Sequence, residues 1–257
     1  MLLAIDTGNS DITMGLWSEG RWKNKWRIPS RPEQPELFYG LKIREALFEA
    51  NVEATSIGKV VLSSVVPELT AKLQNIVEKL FHRKSILLGP AVYDKLPLKI
   101  LNPYEIGADL VANAVAAFSH YKKTCIVVDF GTALTFTTIE GSGKIIGVAI
   151  APGLVTAVKS LTQNTAKLFD VPLQMPASVL GTNTVTAIQS GILIGYGGLV
   201  KAMIEAIRRE VGTACPAVAT GGLSGIIAPL HTVFDIVNPD LTLDGLRLIG
   251  EQLQCND

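Results

Sequence analysis

Two stretches of this chain share one layout. "LLAIDTGNSDITMG" lies at the start and "CIVVDFGTALTFTTI" about midway, and each runs an apolar strand into an aspartate, turns on a glycine and leaves along a strand rich in β-branched residues. Superposing Asp6 on Asp129 sets Gly8 on Gly131, Asn9 on Thr132 and Ser10 on Ala133. The likeness continues past the turns. "KVVLSSVVPEL" reads as a strand that breaks at Pro67, the helix-period run "ELTAKLQNIVEKL" follows, and "SILLG" is another strand. In the second half "PAVATGGLSGIIAPL" leaves a strand through Gly221 and Gly222 into a short helical stretch, and "TVFDIV" is again strand-like. Ahead of the second copy, "GADLVANAVAAFSHYK" is a helix of apolar and small residues that joins the halves. The repeat predicts an α/β protein of two duplicated lobes with a central cleft, residues 1–117 and 118–257. A chain of 257 residues that is 48% hydrophobic has room for one large core or two, and the repeat favours two.

Both Asp-x-Gly turns are expected to face that cleft. Glycine lets a ligand approach the backbone closely, so the N–H groups of each turn can form a small concavity for phosphate oxygens. The hydroxyls of Ser10, Thr13 and Thr132 add donors, while Asp6 and Asp129 can hold cations or their waters. Two such turns would clamp one polyphosphate. Composition agrees with a small-molecule partner rather than nucleic acid or a membrane surface, because Lys+Arg and Asp+Glu both number 23 and no long like-charge block occurs. Cys125, Cys215 and Cys255 are widely spaced, without a C-x-x-C pair or a nearby His cluster, which argues against a metal centre of that type and suits reduced thiols in the cytoplasm. No signal peptide is expected, and the longer apolar stretches are broken by Gly, Pro, Gln or Lys, so no membrane span is expected either.

A lone Asp-Gly turn is usually only a hairpin, but a purely structural reading does not require Asp and Gly in the same place twice. Asp129-Phe130-Gly131 matches the short protein-kinase motif without the His-Arg-Asp loop or the glycine-rich strand cover that go with it. "GSGKII" lacks P-loop spacing and joins two strands, so it reads as a hairpin tip. His82, His120 and His231 are solitary, with surface or helix-end roles, and Trp17, Trp22 and Trp26 read as packing residues of the first sheet. Asp109 has two readings. Beside a helix start it is a capping or dipole-favoured residue; following "NPYEIG" at the lobe junction, it is a carboxylate able to orient an acceptor hydroxyl and take its proton.

These residues resemble the type III pantothenate kinases of the actin, sugar kinase and Hsp70 ATPase superfamily. The match runs through "DTGNS" at Asp6, "SSVVP" at Ser63, "NPYEIGAD" at Asn102, "DFGTA" at Asp129, "APG" at Ala151, "NTAKL" at Asn164, "GTNTVTAIQSG" at Gly181 and "TGG" at Thr220. The resemblance implies ribonuclease-H-like lobes and ATP-dependent phosphorylation of pantothenate to 4'-phosphopantothenate, the first step toward coenzyme A; the alternatives are a non-catalytic regulatory relative of the family or a kinase for a different small alcohol. It implies ATP contacts from Asp6, Thr7, Gly8, Asn9, Ser10, Asp11, Ile12, Thr13 and Thr132, with Mg2+ bridging the phosphates and held through Asp6. Asp129 is implied as ligand of a monovalent cation, K+ or NH4+. Asp109 is implied as proton acceptor, with Gly107, Ala108, Leu110 and Thr184 at pantothenate in a homodimer. Two positions depart from the family pattern: Leu110 stands where an arginine is usual, and Ile100 where an aromatic is common.

Overall fold

The computed structural model describes residues 1–100, 102–164, 168–226 and 232–253. Apolar alternation produces strands and proline places helix starts, in the order the sequence suggests. β1 (Leu2–Thr7), β2 (Asp11–Ser18) and β3 (Arg21–Pro29) form a meander; α1 (Glu36–Glu49), β4 (Lys59–Ser64), α2 (Pro67–Phe81), β5 (Ile86–Leu87), the short α3 (Pro90–Tyr93) and α4 (Ala108–Tyr121) follow. The second copy has β6 (Cys125–Phe130), β7 (Ala133–Ile139), β8 (Ile145–Pro152), α5 (Leu154–Gln163), α6 (Thr184–Gln189), a π-helical turn over Ser190–Ile194, α7 (Gly195–Glu210), β9 (Ala217–Thr220), β10 (Ile236–Val237) and α8 (Leu241–Gln252). Pro67 occupies the first helical position of α2, where its missing N–H costs nothing. "GSGKII" is the β7–β8 hairpin tip, closed by the Glu140 N–H on the Lys144 carbonyl at 2.8 Å.

The duplication extends to strand order. Each sheet has five strands, β3-β2-β1-β4-β5 in the first and β8-β7-β6-β9-β10 in the second. The meanders are antiparallel, and β1–β4 and β6–β9 are parallel pairs. Register places Asp6 beside Thr13 and Ser63, and Asp129 beside Thr135 and Thr220. It also corrects the residue pairing expected from sequence. Gly8 N–H donates to the Asp11 carbonyl at 2.9 Å and Gly131 N–H to the Ala133 carbonyl at 3.1 Å, so Ala133 matches Asp11, and the second turn is one residue shorter. A length difference inside a loop leaves the strand pattern on either side intact, so sequence spacing alone does not show where the residue was lost.

One face of the first sheet, with Leu3, Ile5, Ile12, Met14, Leu16 and Leu62, packs with Tyr39, Ile43, Leu69, Leu73 and Val77 from α1 and α2. The second core gathers Ile126, Val128, Phe130, Leu134 and Phe136 with Leu154, Val158, Leu193, Val200 and Ile204. Each fully buried side chain of this size contributes about 1.5–3 kcal/mol. The continuous helix Thr184–Glu210 is 27 residues long and apolar enough to cross a membrane by length and composition. In the structure Leu193, Val200 and Ile204 from that helix belong to the second core.

The chain forms two compact units. The second is His120–Asp240, and the first joins Met1–Ser119 to the C-terminal segment from Leu241. This differs from the expected division at 117/118, because α8 packs on β1, β2 and β4 instead of staying with the second copy. Its packing is close. A Cβ on Gly245 would stand 1.9 Å from the Ala112 carbonyl oxygen, and one on Gly250 would stand 2.6 Å from Leu2 and Val61 side-chain atoms. Thr242 donates to Asn113 Oδ1 at 2.8 Å, Trp22 Nε1 donates to Asp244 at 2.9 Å, and Lys59 Nζ caps the helix end through the Gly250 and Leu253 carbonyls. Trp17 packs edge-on against Trp22 beneath the Arg247 guanidinium, and Trp26 packs against the first core, as expected of sheet residues. His82 ends α2 and His120 lies in the last turn of α4, whereas His231 and Cys255 lie outside the described residues.

Candidate active site

In the first unit the β1–β2 turn is fixed by the Gly8 bond to Asp11 and by Ser30 N–H donating to the Ser10 carbonyl at 2.9 Å. Asn9 and Ser10 are exposed at its tip, whereas Ile12 is 1% exposed with its side chain in the core, so Ile12 offers a ligand only its backbone. The Thr7 side chain is wholly buried too, and its hydroxyl and that of Ser63 have no hydrogen-bond partner among the described residues. Ser63 lies on β4 directly beside Asp6. A carboxylate flanked by an unsatisfied hydroxyl suits a divalent cation carried on phosphates, because such cations keep several waters and need only one or two protein carboxylates.

Asp109 is tied to this turn within the same unit. Val65 N–H donates to the Thr7 carbonyl at 3.0 Å, and the Val65 side chain lies 3.7 Å from the space a Cβ on Gly107 would fill. In that same space, Asp109 Oδ1 is only 2.5 Å away. Glycine at 107 therefore leaves room for the carboxylate, and "SSVVP" spaces it from the first turn. Asp109 Oδ1 accepts the Leu110 N–H at 2.9 Å, so the helix-start reading holds as a geometry. Burial pushes its carboxyl above the ordinary range, and backbone N–H donors only partly offset this. A raised carboxylate is a better proton acceptor. Tyr93, 4% exposed, has its hydroxyl pushed up to about 12 by burial and by the charge of Asp109. Ala108 and Leu110 are both buried, the latter 8% exposed.

In the second unit, Thr135 and Thr220 flank Asp129 on β7 and β9, and both hydroxyls are buried with no hydrogen-bond partner among the described residues. Two glycines allow the surrounding backbone to close in. A Cβ on Gly221 would meet Asp129 Oδ1 at 2.5 Å, and its φ of +91° is a region L side chains rarely adopt. A Cβ on Gly153 would meet the Gly131 and Thr132 carbonyls at 2.2 and 2.5 Å. The Thr132 carbonyl accepts from the Gly153 N–H at 3.0 Å and the Thr156 hydroxyl at 2.7 Å, which holds the turn against the start of α5. Thr184 belongs to another set of elements. It begins α6 after a capping box between Asn183 and Thr186, and it lines an open, mostly apolar cavity of about 390 Å³ with Leu161, Leu168, Ala187, Ile188 and Ile192.

The sequence reading assigned no role to Thr135, Thr220, Ser63, Gly153, Gly221 or Tyr93. Five lie in quoted stretches, but the place of Thr135 beside Asp129 becomes visible only through cross-strand register, and Tyr93 carries no local signal at all. Among the described residues no group of three or more His, Cys, Asp or Glu could hold a metal by protein ligands alone.

Two sheets of one strand order, each bearing an Asp-x-Gly turn whose aspartate sits at the same register, define a duplicated α/β fold of a kind found in sugar kinases. The fold is similar to that of the inorganic polyphosphate/ATP-glucomannokinase from Arthrobacter sp. strain KM, with a TM-score of 0.52, 14% identity and coverage of 98% of this chain and 99% of that one. The family model for type III pantothenate kinase matches residues 2–206. The type III pantothenate kinase of Moorella thermoacetica is 40% identical over 98% of this chain and 99% of its own length. That of Syntrophobacter fumaroxidans is 40% identical over 100% of both. The chain belongs to the type III pantothenate kinase family.

Proposed function

We propose that this chain transfers the γ-phosphoryl group of ATP to the primary hydroxyl of pantothenate, forming 4'-phosphopantothenate and ADP for coenzyme A biosynthesis. The observation that carries the reading is the 40% identity to type III pantothenate kinases over the whole chain. The doubled Asp-x-Gly turn supports it, with Asp6 and Asp129 in equivalent registers. The first turn, Asp6 to Thr13, binds phosphates through backbone N–H groups and the Ser10 and Thr13 hydroxyls; Thr132, in the second unit, is a separate candidate for phosphate. A divalent metal held through Asp6 would neutralise phosphate charge. Asp109 orients the acceptor hydroxyl and takes its proton as the oxygen attacks the γ-phosphorus and the bond to the ADP oxygen breaks. In a loose phosphoryl-transfer transition state, positioning and charge stabilisation count for more than base strength, so a carboxylate suffices. Gly107, Ala108 and Leu110 line the acceptor in the first unit, and Thr184 in the second unit is a separate candidate contact for pantothenate.

We place a monovalent cation at Asp129, supported by the unsatisfied Thr135 and Thr220 hydroxyls on either side. A homodimer is carried over from the family resemblance. The free thiols Cys125 and Cys215 suit a cytoplasmic setting. A coupled assay with ATP, magnesium and pantothenate in potassium or sodium buffer tests the whole reading. Turnover stimulated by potassium is the expected result. Absence of turnover at millimolar substrates overturns the kinase, and equal rates in both buffers overturn the cation site alone. Sedimentation tests the dimer separately. A second reading, a kinase for another small alcohol, is favoured by the buried Leu110, which gives an acceptor carboxylate no charge partner.

A further inference from the structure

The face of the first sheet turned away from the first core carries a cation that the mechanism above leaves unused. Across β4, β1, β2 and β3, the strand register sets Ser63, Asp6, Thr13 and Arg27 side by side. Alternation along each strand turns all four to the same face. The second sheet repeats the row as Thr220, Asp129, Thr135 and Ile150. The rows agree in hydroxyl, carboxylate and hydroxyl, and differ only in the fourth place, where one copy has a guanidinium and the other an alkyl group.

Arg27 stands two strand spacings from Asp6, about 9–10 Å between backbones, with only the small Thr13 between them. Its long side chain can therefore lie over Thr13 toward the turn. Its ion-pair partner is Asp11, Nη1 to Oδ2 at 3.8 Å, with the two side chains 54% and 41% exposed. That distance is too long for a hydrogen bond, and an exposed pair of this kind is weak. A polyphosphate at this turn would meet two carboxylates, Asp6 and Asp11, which repel it. A guanidinium is the group suited to offset them, since its planar donors match phosphate oxygens in pairs.

We propose that Arg27 is a phosphate-binding residue of the β1–β2 turn, exchanging Asp11 for the terminal phosphates of the nucleotide. The inference rests on the reading of Asp6 to Thr13 as the nucleotide segment.

The test uses the full-length protein and its Arg27→Gln, Arg27→Lys and Gly8→Val variants, with KM measured for ATP and for pantothenate, MgADP binding by calorimetry, and thermal melts. Arg27→Gln is expected to raise KM for ATP and weaken MgADP by about 10- to 100-fold. KM for pantothenate and the melting temperature should stay in place, and Arg27→Lys should recover part of the loss. A KM for ATP within twofold of the parent overturns the proposal. So does a parallel rise in both KM values accompanied by a lowered melting temperature, which marks a structural role. Gly8→Val separates the layers: if it weakens MgADP while Arg27→Gln is silent, Arg27 alone is excluded, and if MgADP survives both, the nucleotide segment itself is misplaced.

Discussion

Asp109 combines a cost with a use. Burial holds its carboxyl above the ordinary 3.8, so the folded chain keeps this proton at pH values where the unfolded chain has lost it. Stability linked to the group is therefore greatest below 3.8 and declines as pH rises from there through the raised folded value. Asp109→Asn removes that decline while preserving an acceptor for the Leu110 N–H. Denaturant melts at pH 3 and pH 7 should show the variant gaining on the parent as pH rises. Its turnover should fall by about 10²- to 10⁴-fold with nucleotide binding retained. A variant that unfolds at both pH values would mark Asp109 as a helix-start residue and nothing more. The neighbouring Leu110 has the opposite character. An arginine there could pair with the pantothenate carboxylate, so Leu110→Arg is expected to lower KM for pantothenate by about 10- to 100-fold with less change in the turnover rate. Because Leu110 is 8% exposed, the melting temperature should drop as well. Kinetics on pantothenate and its carboxamide check the point, and a parent enzyme that already prefers the carboxylate has another cation in place.

At the scale of elements, the second turn depends on backbone contacts that tolerate no side chain. Gly153→Ala sets a methyl against the Gly131 and Thr132 carbonyls, and Gly221→Ala combines a clash at Asp129 with a positive φ. Each should cost about 1–3 kcal/mol in thermal or denaturant melts, and Gly221→Ala should also blunt any response to potassium. Gly147 on β8 meets nothing within 4 Å, so Gly147→Ala serves as the control and should change little. These contacts show why the sequence was readable in some places and silent in others. Strands, hairpins and the Asp-x-Gly turns follow from alternation and turn chemistry within a few residues, so β1, β2, β6 and β7 could be placed before any coordinates. The hydroxyls beside Asp129 come from Thr135 and from Thr220, about ninety residues beyond Asp129 in the chain, and only register brings them together. The one-residue difference between the turns was hidden for the same reason, since the strands on both sides keep their pattern.

For the molecule as a whole, the repeat correctly indicated two α/β copies but could not say which sheet its last helix covers. The apolar positions of α8 make it a helix with one buried face, and either sheet offers an apolar surface to such a helix. The choice is made by shape. Gly245 and Gly250 let the α8 backbone approach Ala112 and the β1–β4 surface more closely than any larger residue permits. Gly15 on β2 leaves space in turn for Trp22 and Leu243. The C-terminal segment thus closes the unit that contains Asp6 and Asp109, so a change in α8 should be felt in the first unit. Gly245→Ala would drive a methyl into the Ala112 carbonyl, and the expected cost is about 1–3 kcal/mol. Hydrogen exchange should localise it: amides of β1, β4 and α4 should exchange faster, while those of β6, β7 and β9 keep their protection. Equal loss of protection in both sheets would mean that the two units unfold as one, and loss confined to the second sheet would mean that α8 closes the other copy after all.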